Sequence, residues 1–363
     1  MIHKYHNPVA IRSGPGALAE LPRVLAGRRA VLVTFPEARA LGLVDRVRGL
    51  LGPALLDVVD DVQPNPDVRE LAPLYARFWS RHGDCEALVA LGGGSAIDTA
   101  KALMVGTPGG DFGALLALLA TGKAFTPDRV KALVAIPTTA GTGSEVTPWA
   151  TIWDQAAGRK HSLHLEATWP EAALVDSELM LTLPPSVTLQ SGLDALSHAL
   201  ESIWNVNANP VSDTLAVAAA REVMATLPAL MASPADLALR TRMSLAAVKA
   251  GLAFSNTKTA LAHSISYEMT LRFGLPHGIA CSFTLPMVLR RAIGVSAERD
   301  AVLAAVFDGD LEAAPARLAA FLRSLGVATE FADYGVAEGD SRRMVLDALD
   351  GVRGRNFIGA GAP

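Results

Sequence analysis

The chain has 363 residues, of which 50% are hydrophobic and 19% are charged. This ordinary globular composition excludes a disordered or fibrous protein, and at about 100–200 residues per domain the length predicts two domains. The formal net charge of −4 excludes a surface that attracts nucleic acid or anionic lipid as a whole, so we expect neither partner and any cationic site must be local.

The N-terminal segment and the cysteines predict a protein of a reducing, cytoplasmic compartment. Residues 1–8 lack the apolar run of a signal peptide, and no stretch approaches the roughly 20 apolar residues of a membrane helix. Cys85 and Cys281 are far apart in the sequence and form no CxxC pair. Two buried thiols are therefore expected.

Short aliphatic runs alternate with helical stretches in the first half of the chain. Four of these runs are typical of buried strands bounded by Gly, Pro or charged residues: 30–33, 87–91, 133–136 and 173–176. Strands that alternate with helices predict a parallel sheet with helices on its faces. We therefore place an α/β domain at residues 1–183.

After Pro184 and Pro185 the pattern becomes helical almost throughout. Ala, Leu and Met recur at three- and four-residue spacing in four segments: 187–204, 211–227, 237–253 and 259–273. Asn209 precedes Pro210 and is a candidate helix start. We therefore place an all-helical domain at residues 184–363, and the crevice between the two domains is the expected place for a ligand.

Two glycine-containing loops each follow a predicted strand. The run Gly92-Gly93-Gly94-Ser95 ends the strand 87–91 and opens a helix, where the first backbone N–H groups favour a pyrophosphate. The second loop, residues 137–145 with the sequence PTTAGTGSE, follows the next strand. One such loop alone is more often only a turn, but two at the carboxyl ends of strands favour a nucleotide bound across the sheet.

The usual dinucleotide fingerprint, GxGxxG, is absent, so this is not an ordinary Rossmann signature. An acidic residue that would bind the ribose 2′-hydroxyl is not evident at the tip of the first strand, and Glu37, slightly further on, is a candidate. The sequence therefore leaves the choice between NAD and NADP open.

A carboxylate and three histidines in the helical half form a candidate metal site. Asp194 and His198 are four residues apart in a helical run and so share one face. His263 lies in a second helical run, and His277 follows the break Gly-Leu-Pro at 274–276. Such a set suits Fe²⁺ or Zn²⁺ and leaves coordination positions for a substrate oxygen. For an isolated Asp-x3-His pair, the alternative is a hydrogen bond along the helix face.

Together, these motifs resemble the iron-containing (group III) alcohol dehydrogenase family. The likeness rests on the loop 92–95 with Asp98 and Lys101, the loop 137–145, the segment 192–198, His263, and the segment 276–278. It covers nearly the whole chain in the expected order. It implies an α/β dinucleotide-binding domain with a parallel sheet, an all-helical C-terminal domain as in the dehydroquinate synthase-like fold, and a metal in the cleft between them.

The resemblance also implies roles for individual residues. The metal ligands of the family fall on Asp194, His198, His263 and His277. Its cofactor-binding residues fall on Gly93, Gly94, Ser95, Asp98, Thr138, Thr139, Thr142 and Lys160. The implied cofactors are NAD(P)(H) and a divalent metal, Fe²⁺ in the first place and Zn²⁺ in the second, and the implied assembly is a homodimer. The expected reaction is transfer of hydride from the nicotinamide to an aldehyde polarised by the metal.

At one position the sequence departs from the family. Its members often carry a second histidine four residues after the third metal ligand, where it lines the substrate site or relays a proton. Here that residue is Tyr267. Tyrosine, with an ordinary pKa of about 10, is a poor base but a hydrogen-bond donor to a substrate oxygen. The route of the proton therefore stays open.

Lys258 indicates an anionic substrate. Relatives that act on simple alcohols usually carry a small or apolar residue there, and Lys258 precedes His263 by five residues. A cation beside Asn256 and two threonines favours a phosphate-like head group, whereas a solvated lysine at a helix start is the alternative. The segments 257–267 and 276–283 look most like the phosphonoacetaldehyde reductase branch, which implies reduction of phosphonoacetaldehyde to 2-hydroxyethylphosphonate.

Other functions stay open at this point. A family member for a neutral alcohol or diol would leave Lys258 facing water, and a carboxylated substrate, as in maleylacetate reductase, would use the same lysine. A lyase of the dehydroquinate synthase type regenerates its NAD in each cycle and carries extra basic residues for a phosphorylated sugar acid. A non-catalytic binding module is the last alternative, and four intact metal positions argue against it.

Overall fold

The computed structural model describes residues 2–361, and the contacts among them form two compact units. The α/β unit contains Pro8–Thr139 and Ser144–Met180. The helical unit contains residues 2–7, 140–143 and 181–361. The domain boundary at residue 183 stays a prediction.

The α/β unit is built on a parallel sheet, as the alternation of strands and helices predicts. Its strands are β1 Ala10–Ser13, β2 Ala30–Thr34, β3 Leu55–Val59, β4 Ala87–Gly92, β5 Val105–Gly106, β6 Arg129–Val130, β7 Ala132–Pro137, β8 Trp149–Asp154, β9 Arg159–His164 and β10 Ala172–Val175. Six strands form one parallel sheet in the order β1-β10-β7-β4-β2-β3. The pairs β5–β6 and β8–β9 are antiparallel.

Helices cover both faces of this sheet and bury its central strands. They are α1 Leu21–Leu25, α2 Leu43–Leu51, α3 Val68–His82, α4 Gly94–Met104 and α5 Phe112–Ala120. Because side chains alternate along a strand, Leu88 joins the apolar cluster that includes Phe78 of α3, and Val89 joins the cluster that includes Val44 of α2. Both faces of β4 are thus buried, as its continuous aliphatic sequence predicts.

The sequence predicted β2, β4, β7 and β10 and missed the other strands. The missed strands of the main sheet, β1 and β3, lie at its two edges. Four of the five residues of β3 are half-buried or exposed, with Leu56 37% exposed. Edge strands bury less apolar surface and therefore lack the aliphatic run that marked the central ones.

The helical unit contains nine α-helices within the described residues. They are α6 Pro185–Ile203, α7 Pro210–Ala232, α8 Leu237–Thr257, α9 Leu261–Phe273, α10 His277–Ser282, α11 Leu285–Ala292, α12 Ala297–Val306, α13 Ala314–Ser324 and α14 Glu338–Asp350. The three longest, α6, α7 and α8, pack against one another. The predicted start of α7 is confirmed, because the Asn209 side chain accepts hydrogen bonds from the N–H groups of Val211 and Ser212.

The expectation that no segment is apolar enough for a membrane helix is wrong for α7. This 23-residue helix has a window of mean hydropathy 1.4 and meets the criterion by length and composition. A core helix of a globular protein meets the same criterion, and α7 packs against α6, α8 and α12. Asp213 on α7 is buried and forms an ion pair with Arg299 at 2.7 Å.

Candidate active site

The two glycine loops meet at the carboxyl edge of the parallel sheet. Gly92 ends β4, Pro137 ends β7, and these two residues are register partners. The Thr138 N–H donates a hydrogen bond to the Gly92 carbonyl at 2.9 Å. A Cβ atom on Gly93 would lie 3.3 Å from Cγ2 of Thr139. The structure therefore brings the predicted cofactor residues Gly93, Thr138 and Thr139 together.

The first of these loops lies where the strand order changes direction. Strand β2 has β3 on one side and β4 on the other, so the strand order changes direction between β2 and β4. Ligands of open parallel sheets bind at such a change of direction. Helix α4 begins at Gly94 and has no side-chain cap within the described part of the chain. The Ser95 hydroxyl accepts a hydrogen bond from the Asn65 N–H at 3.1 Å. The N–H groups at the start of α4 suit a pyrophosphate.

The remaining predicted cofactor residues lie on separate elements. Asp98 is half-buried on α4, and its carboxylate accepts hydrogen bonds from the Ser144 hydroxyl and the Thr151 N–H. Lys160 lies on β9, with its ammonium 5.4 Å from the centre of the Trp153 ring. Thr142 belongs to the segment 140–143, which groups with the helical unit.

The predicted metal ligands converge within the helical unit. Asp194 is on α6, His263 on α9 and His277 at the start of α10. Oδ1 of Asp194 lies 3.4 Å from Nε2 of His263 and 3.7 Å from Nε2 of His277. Nε2 of His198, one turn after Asp194, lies 3.8 Å from the same oxygen. The three imidazoles thus surround one carboxylate oxygen of Asp194.

Cys281 is a fifth donor at this place, and the sequence indicated only a buried thiol. The thiol is buried and free, as predicted, and its Sγ lies 3.5 Å from Oδ1 of Asp194. The donor atoms of Asp194, His263, His277 and Cys281 all lie within 4.8 Å of one another. Burial raises the pKa of the Cys281 thiol, which keeps it protonated and makes it a poorer ligand than an imidazole.

The donor chemistry fits a divalent metal. Nε2 of His263 is buried and has no hydrogen-bond partner among residues 2–361. Burial alone would raise the pKa of Asp194, but the imidazoles of His198, His263 and His277 outweigh it and hold that pKa well below its ordinary range. Burial lowers the pKa of His198 to about 4. Burial alone would lower the pKa of His263, but the Glu201 and Asp194 carboxylates outweigh it and raise that pKa to about 10, so a metal would bind Nε2 of His263 by displacing its proton. The ionised Asp194 carboxylate and the neutral His198 imidazole are already in the state that binds Fe²⁺ or Zn²⁺.

Two buried acceptors orient the imidazole rings. Nδ1 of His263 donates to the Glu201 carboxylate at 2.7 Å, and Nδ1 of His198 donates to the Gly141 carbonyl at 3.3 Å. In both rings Nε2 is then the nitrogen available to a metal. The His198 ring also stacks on Phe254, with centroids 4.0 Å apart and planes at 13°. These contacts fix the rings before any ion binds.

Sequence reasoning missed Glu201, although a signal was present. Asp194, His198 and Glu201 have the spacing i, i+4 and i+7, so they lie on the same face of α6. A second carboxylate on the face that carries two candidate ligands is a candidate partner for a ligand on a neighbouring helix. No such spacing signal links Gly141 to His198, because these residues come from distant parts of the sequence.

The two predicted substrate residues lie on either side of His263 in sequence. Tyr267 is one turn after it on α9, half-buried, with the Arg353 guanidinium 4.9 Å from the centre of its ring. Lys258 is exposed and ends α8, since α9 begins only at Leu261. The helix predicted from residue 259 therefore starts later, and Lys258 is at the end of a helix, not at a start.

Comparisons with known proteins agree with this architecture. The sequence profile described as iron-containing alcohol dehydrogenase matches residues 8–177, and the profile described as Fe-containing alcohol dehydrogenase family, C-terminal, matches residues 188–360. The NAD-dependent methanol dehydrogenase of Bacillus methanolicus is 32% identical over 358 residues, which span 95% of this chain and 93% of that protein. The 1,3-propanediol dehydrogenase of Klebsiella pneumoniae is 31% identical over 93% of this chain and 89% of its own length.

Among solved structures, the fold is similar to that of the sulfoacetaldehyde reductase from Bifidobacterium kashiwanohense in complex with NAD⁺. The TM-score is 0.89 at 30% sequence identity, and the match covers 98% of this chain and 94% of the other. These similarities set aside a lyase and a non-catalytic module. The chain belongs to the iron-containing alcohol dehydrogenase family, whose members are NAD-dependent oxidoreductases of alcohols and aldehydes with a divalent metal, typically Fe²⁺.

Proposed function

We propose that this enzyme reduces a short aldehyde with an anionic head group, and that phosphonoacetaldehyde, reduced to 2-hydroxyethylphosphonate, is the first candidate. The observation that carries the proposal is the position of Lys258. This exposed cation lies in the turn between α8 and α9, a few residues before His263. The N–H groups of Ala260, in this turn, and of Ala262, in the first turn of α9, donate to Glu201, the residue that also holds the His263 ring.

The backbone of Lys258 supports a role for its side chain. Its φ of 68° and ψ of 172° lie in a region that is essentially restricted to glycine and costs other residues about 1–3 kcal/mol. The Asn205 side-chain amide donates to the Lys258 carbonyl at 3.1 Å and helps to hold this conformation. A charged residue at a position that glycine would occupy without strain is expected where the charge has a function.

One similar structure supports the charge of the substrate more than its identity. The similar structure from Bifidobacterium kashiwanohense is named for sulfoacetaldehyde, a two-carbon aldehyde with an anionic sulfonate. Phosphonate and sulfonate are both oxyanions that a lysine ammonium can bind as a point charge. We therefore include sulfoacetaldehyde among the test substrates.

The residues of this chain divide the work of the reaction. Asp194, His198, His263 and His277 would hold the metal, and Gly93, Gly94, Ser95, Thr138, Thr139, Thr142 and Lys160 would hold NAD(P)H, with Asp98 supporting the same site from α4. When bound, the metal supplies a Lewis acid for the aldehyde oxygen and the nicotinamide supplies hydride. Lys258 binds the head group and so limits the orientations of a short substrate. The Tyr267 hydroxyl donates a hydrogen bond to the oxygen that becomes the alcohol.

The test compares substrates across two lysine variants. Iron-reconstituted wild type, Lys258→Met and the control Lys249→Met, a lysine earlier on α8, are assayed with phosphonoacetaldehyde, sulfoacetaldehyde and propionaldehyde, each with NADH and NADPH. We expect Lys258→Met to lower kcat/KM for the anionic aldehydes at least about tenfold, the value of one charge-assisted contact, and to spare propionaldehyde. Equal losses on charged and neutral aldehydes would refute the anion site.

A neutral alcohol or diol is the second candidate substrate. The exposure of Lys258 and the similarity to a 1,3-propanediol dehydrogenase favour it. In that case the wild type has a higher kcat/KM for propionaldehyde than for the anionic aldehydes, and Lys258→Met leaves kcat/KM unchanged. A carboxylated substrate like that of a maleylacetate reductase is distinguished by adding maleylacetate to the same panel.

We also propose a cytoplasmic location and a homodimeric assembly. The two buried, free cysteines support a reducing compartment. The homodimer is supported by the family resemblance, and light scattering after size-exclusion chromatography tests it directly.

A further inference from the structure

Lys101 is a fully buried lysine in the middle of the α/β unit. It lies on α4, the helix that begins at the first glycine loop. Its ammonium donates hydrogen bonds to the Ser144 carbonyl at 2.6 Å, the Ser144 hydroxyl at 2.9 Å and the Trp149 carbonyl at 2.7 Å. All three donor positions of the ammonium are therefore used.

The hydrogen bonds continue beyond Lys101 and return to α4. The Ser144 hydroxyl donates to Oδ1 of Asp98 at 2.7 Å, and Oδ2 of Asp98 accepts from the Thr151 N–H at 2.9 Å. Asp98 and Lys101 are three residues apart on one helix face. Two side chains of α4 thus hold both ends of the segment from Ser144 to Thr151.

This segment connects the parts of the proposed cofactor site in the α/β unit. At its start, Ser144 belongs to the second glycine loop, and at its end β8 leads into β9, which carries Lys160. The N-terminal turn of α4 is the proposed pyrophosphate site. A displacement of the segment relative to α4 would move the second loop and the hairpin away from that turn.

Burying an ammonium costs free energy that an apolar side chain would not. Burial lowers the pKa of Lys101 to about 8, so at pH 7 the amine is mostly protonated and donates all three hydrogen bonds. A methionine of similar length would fill the same space without this cost. The charge therefore needs an explanation other than packing.

We propose that Lys101 is a positioning residue of the cofactor site. With Asp98 it fixes the segment Ser144–Thr151 against α4, and so sets the affinity for NADH without touching the cofactor. This inference rests on the proposed placement of the cofactor at the two glycine loops. It assigns Asp98 the same indirect role, since both of its carboxylate oxygens are engaged by Ser144 and Thr151.

The matched control is Lys131, a second buried lysine of the same unit. Its ammonium also donates to backbone carbonyls, those of Gly83 and Cys85, both at 2.6 Å. It directly precedes β7, whereas the glycine loops follow the carboxyl ends of the strands. Lys131→Met thus removes a buried charge of the same kind at the opposite edge of the sheet.

The experiment measures NADH dissociation constants by fluorescence titration of the full-length protein, together with Tm and the KM and kcat for NADH. We expect Lys101→Met to raise the dissociation constant and KM at least about tenfold and to leave kcat at saturating NADH within about twofold. Ser144→Ala, which keeps both backbone acceptors of Lys101, should raise the dissociation constant about threefold. Lys131→Met should lower Tm and leave NADH binding unchanged.

Three outcomes would overturn the proposal. A Lys101→Met protein that loses Tm like Lys131→Met but binds NADH normally would give Lys101 a purely structural role. If Lys101→Met does not fold, an unchanged NADH affinity in Ser144→Ala leads to the same conclusion. Gly93→Val tests the premise that the cofactor binds at the glycine loops, and normal NADH binding by this variant would refute that premise. If Gly93→Val binds NADH weakly but Lys101→Met binds it normally, only the role of Lys101 is refuted.

Discussion

The carboxylate of Glu201 accepts a hydrogen bond from Nδ1 of His263 at 2.7 Å and also from the N–H groups of Ala260 and Ala262. One fully buried side chain therefore caps the first turn of α9 and sets the ring of a candidate metal ligand. The N–H groups at a helix start have no partner within the helix, so this carboxylate supplies acceptors that the chain would otherwise lack. The metal site and the fold of the α8–α9 turn thus depend on the same residue.

We expect Glu201→Gln to weaken metal binding about 10–100-fold, the usual effect of losing a carboxylate partner of a ligating histidine. The amide is isosteric, but one of its two oxygens is replaced by a donor that faces N–H groups. Zn²⁺ dissociation constants from competition with a chelating dye provide the measurement. The control is Asp213→Asn, which alters another buried carboxylate of the helical unit, paired with Arg299. Equal metal affinities in Glu201→Gln and wild type would contradict the prediction.

The identity of the fourth metal ligand is tested by comparing His198 with Cys281. Both residues lie beside Asp194, but the thiol is kept protonated by burial. We expect His198→Asn to weaken Zn²⁺ binding by more than about 100-fold, beyond the range of a change outside the ligand set, and Cys281→Ser to change it less than about threefold. The reverse order of the two effects would assign the position to Cys281.

Gly278 permits a close approach that no other residue could make. It follows His277 on α10, and a Cβ atom there would lie 2.0 Å from the Gln190 carbonyl oxygen of α6. Gly278→Ala therefore forces the two helices apart, and we expect a loss of about 1–3 kcal/mol in the free energy of unfolding together with weaker metal binding. The control is Gly339→Ala on α14, where, apart from the neighbouring backbone of the helix, no atom of residues 2–361 lies within 4 Å of the added carbon.

For these two glycine variants, thermal denaturation and the same Zn²⁺ competition assay provide the measurements. Gly339→Ala should keep or slightly raise Tm, because alanine is favoured over glycine inside a helix by about 1 kcal/mol. A Gly278→Ala protein with wild-type Tm and metal affinity would show that the α6–α10 contact adjusts at no cost.

The parts of the site that could be predicted from sequence are those that local spacing encodes. Asp194 and His198 share a face because a helix repeats every 3.6 residues, and the glycine loop before α4 follows an aliphatic strand. These patterns depend only on neighbours in the chain. The central strands could be predicted for the same reason, since burial on both faces requires a continuous aliphatic run.

The parts that could not be predicted depend on contacts between distant residues. Glu201 and His263 are 62 residues apart, and Lys101 and Ser144 are 43 apart. Nothing in a single sequence indicates which buried carboxylate meets which imidazole, or that a lysine in an amphipathic helix points inward. The late start of α9 is another such case, because the chain leaves the helical path at Lys258, where amide side chains of another segment hold the turn.

Glu145 predicts a pH dependence of stability in the α/β unit. It is buried next to Lys101, and burial raises the pKa of its carboxyl from 4.5 to about 7. Between these two values the folded protein binds more protons than the unfolded chain, so the free energy of unfolding falls as the pH rises. The loss of stability caused by ionising the buried Glu145 is absent below pH 4.5 and complete above about pH 7. A pKa shift of this size corresponds to a loss of about 3 kcal/mol in the free energy of unfolding.

We expect Glu145→Gln to reduce this fall in stability between pH 5 and pH 8, because its neutral amide does not ionise. Urea denaturation followed by tryptophan fluorescence reports mainly on the α/β unit, which contains Trp79, Trp149, Trp153 and Trp169. Contributions of groups that do not interact with Glu145 cancel when the pH dependence of the variant is subtracted from that of the wild type. Parallel pH profiles for the two proteins would mean that Glu145 does not titrate in this range.

The strained backbone of Lys258 predicts that replacing this residue by glycine raises stability while it weakens substrate binding. Lys258→Gly and Lys258→Met remove the same charge, but only glycine adopts the φ of 68° and ψ of 172° without strain. We expect Lys258→Gly to exceed Lys258→Met by about 1 kcal/mol in the free energy of unfolding, after allowance for the greater freedom of glycine in the unfolded chain. Both variants should lose kcat/KM for phosphonoacetaldehyde to the same extent. Equal stabilities would show that the turn carries no strain, and a loss of activity in only one variant would show that backbone shape, not charge, governs binding.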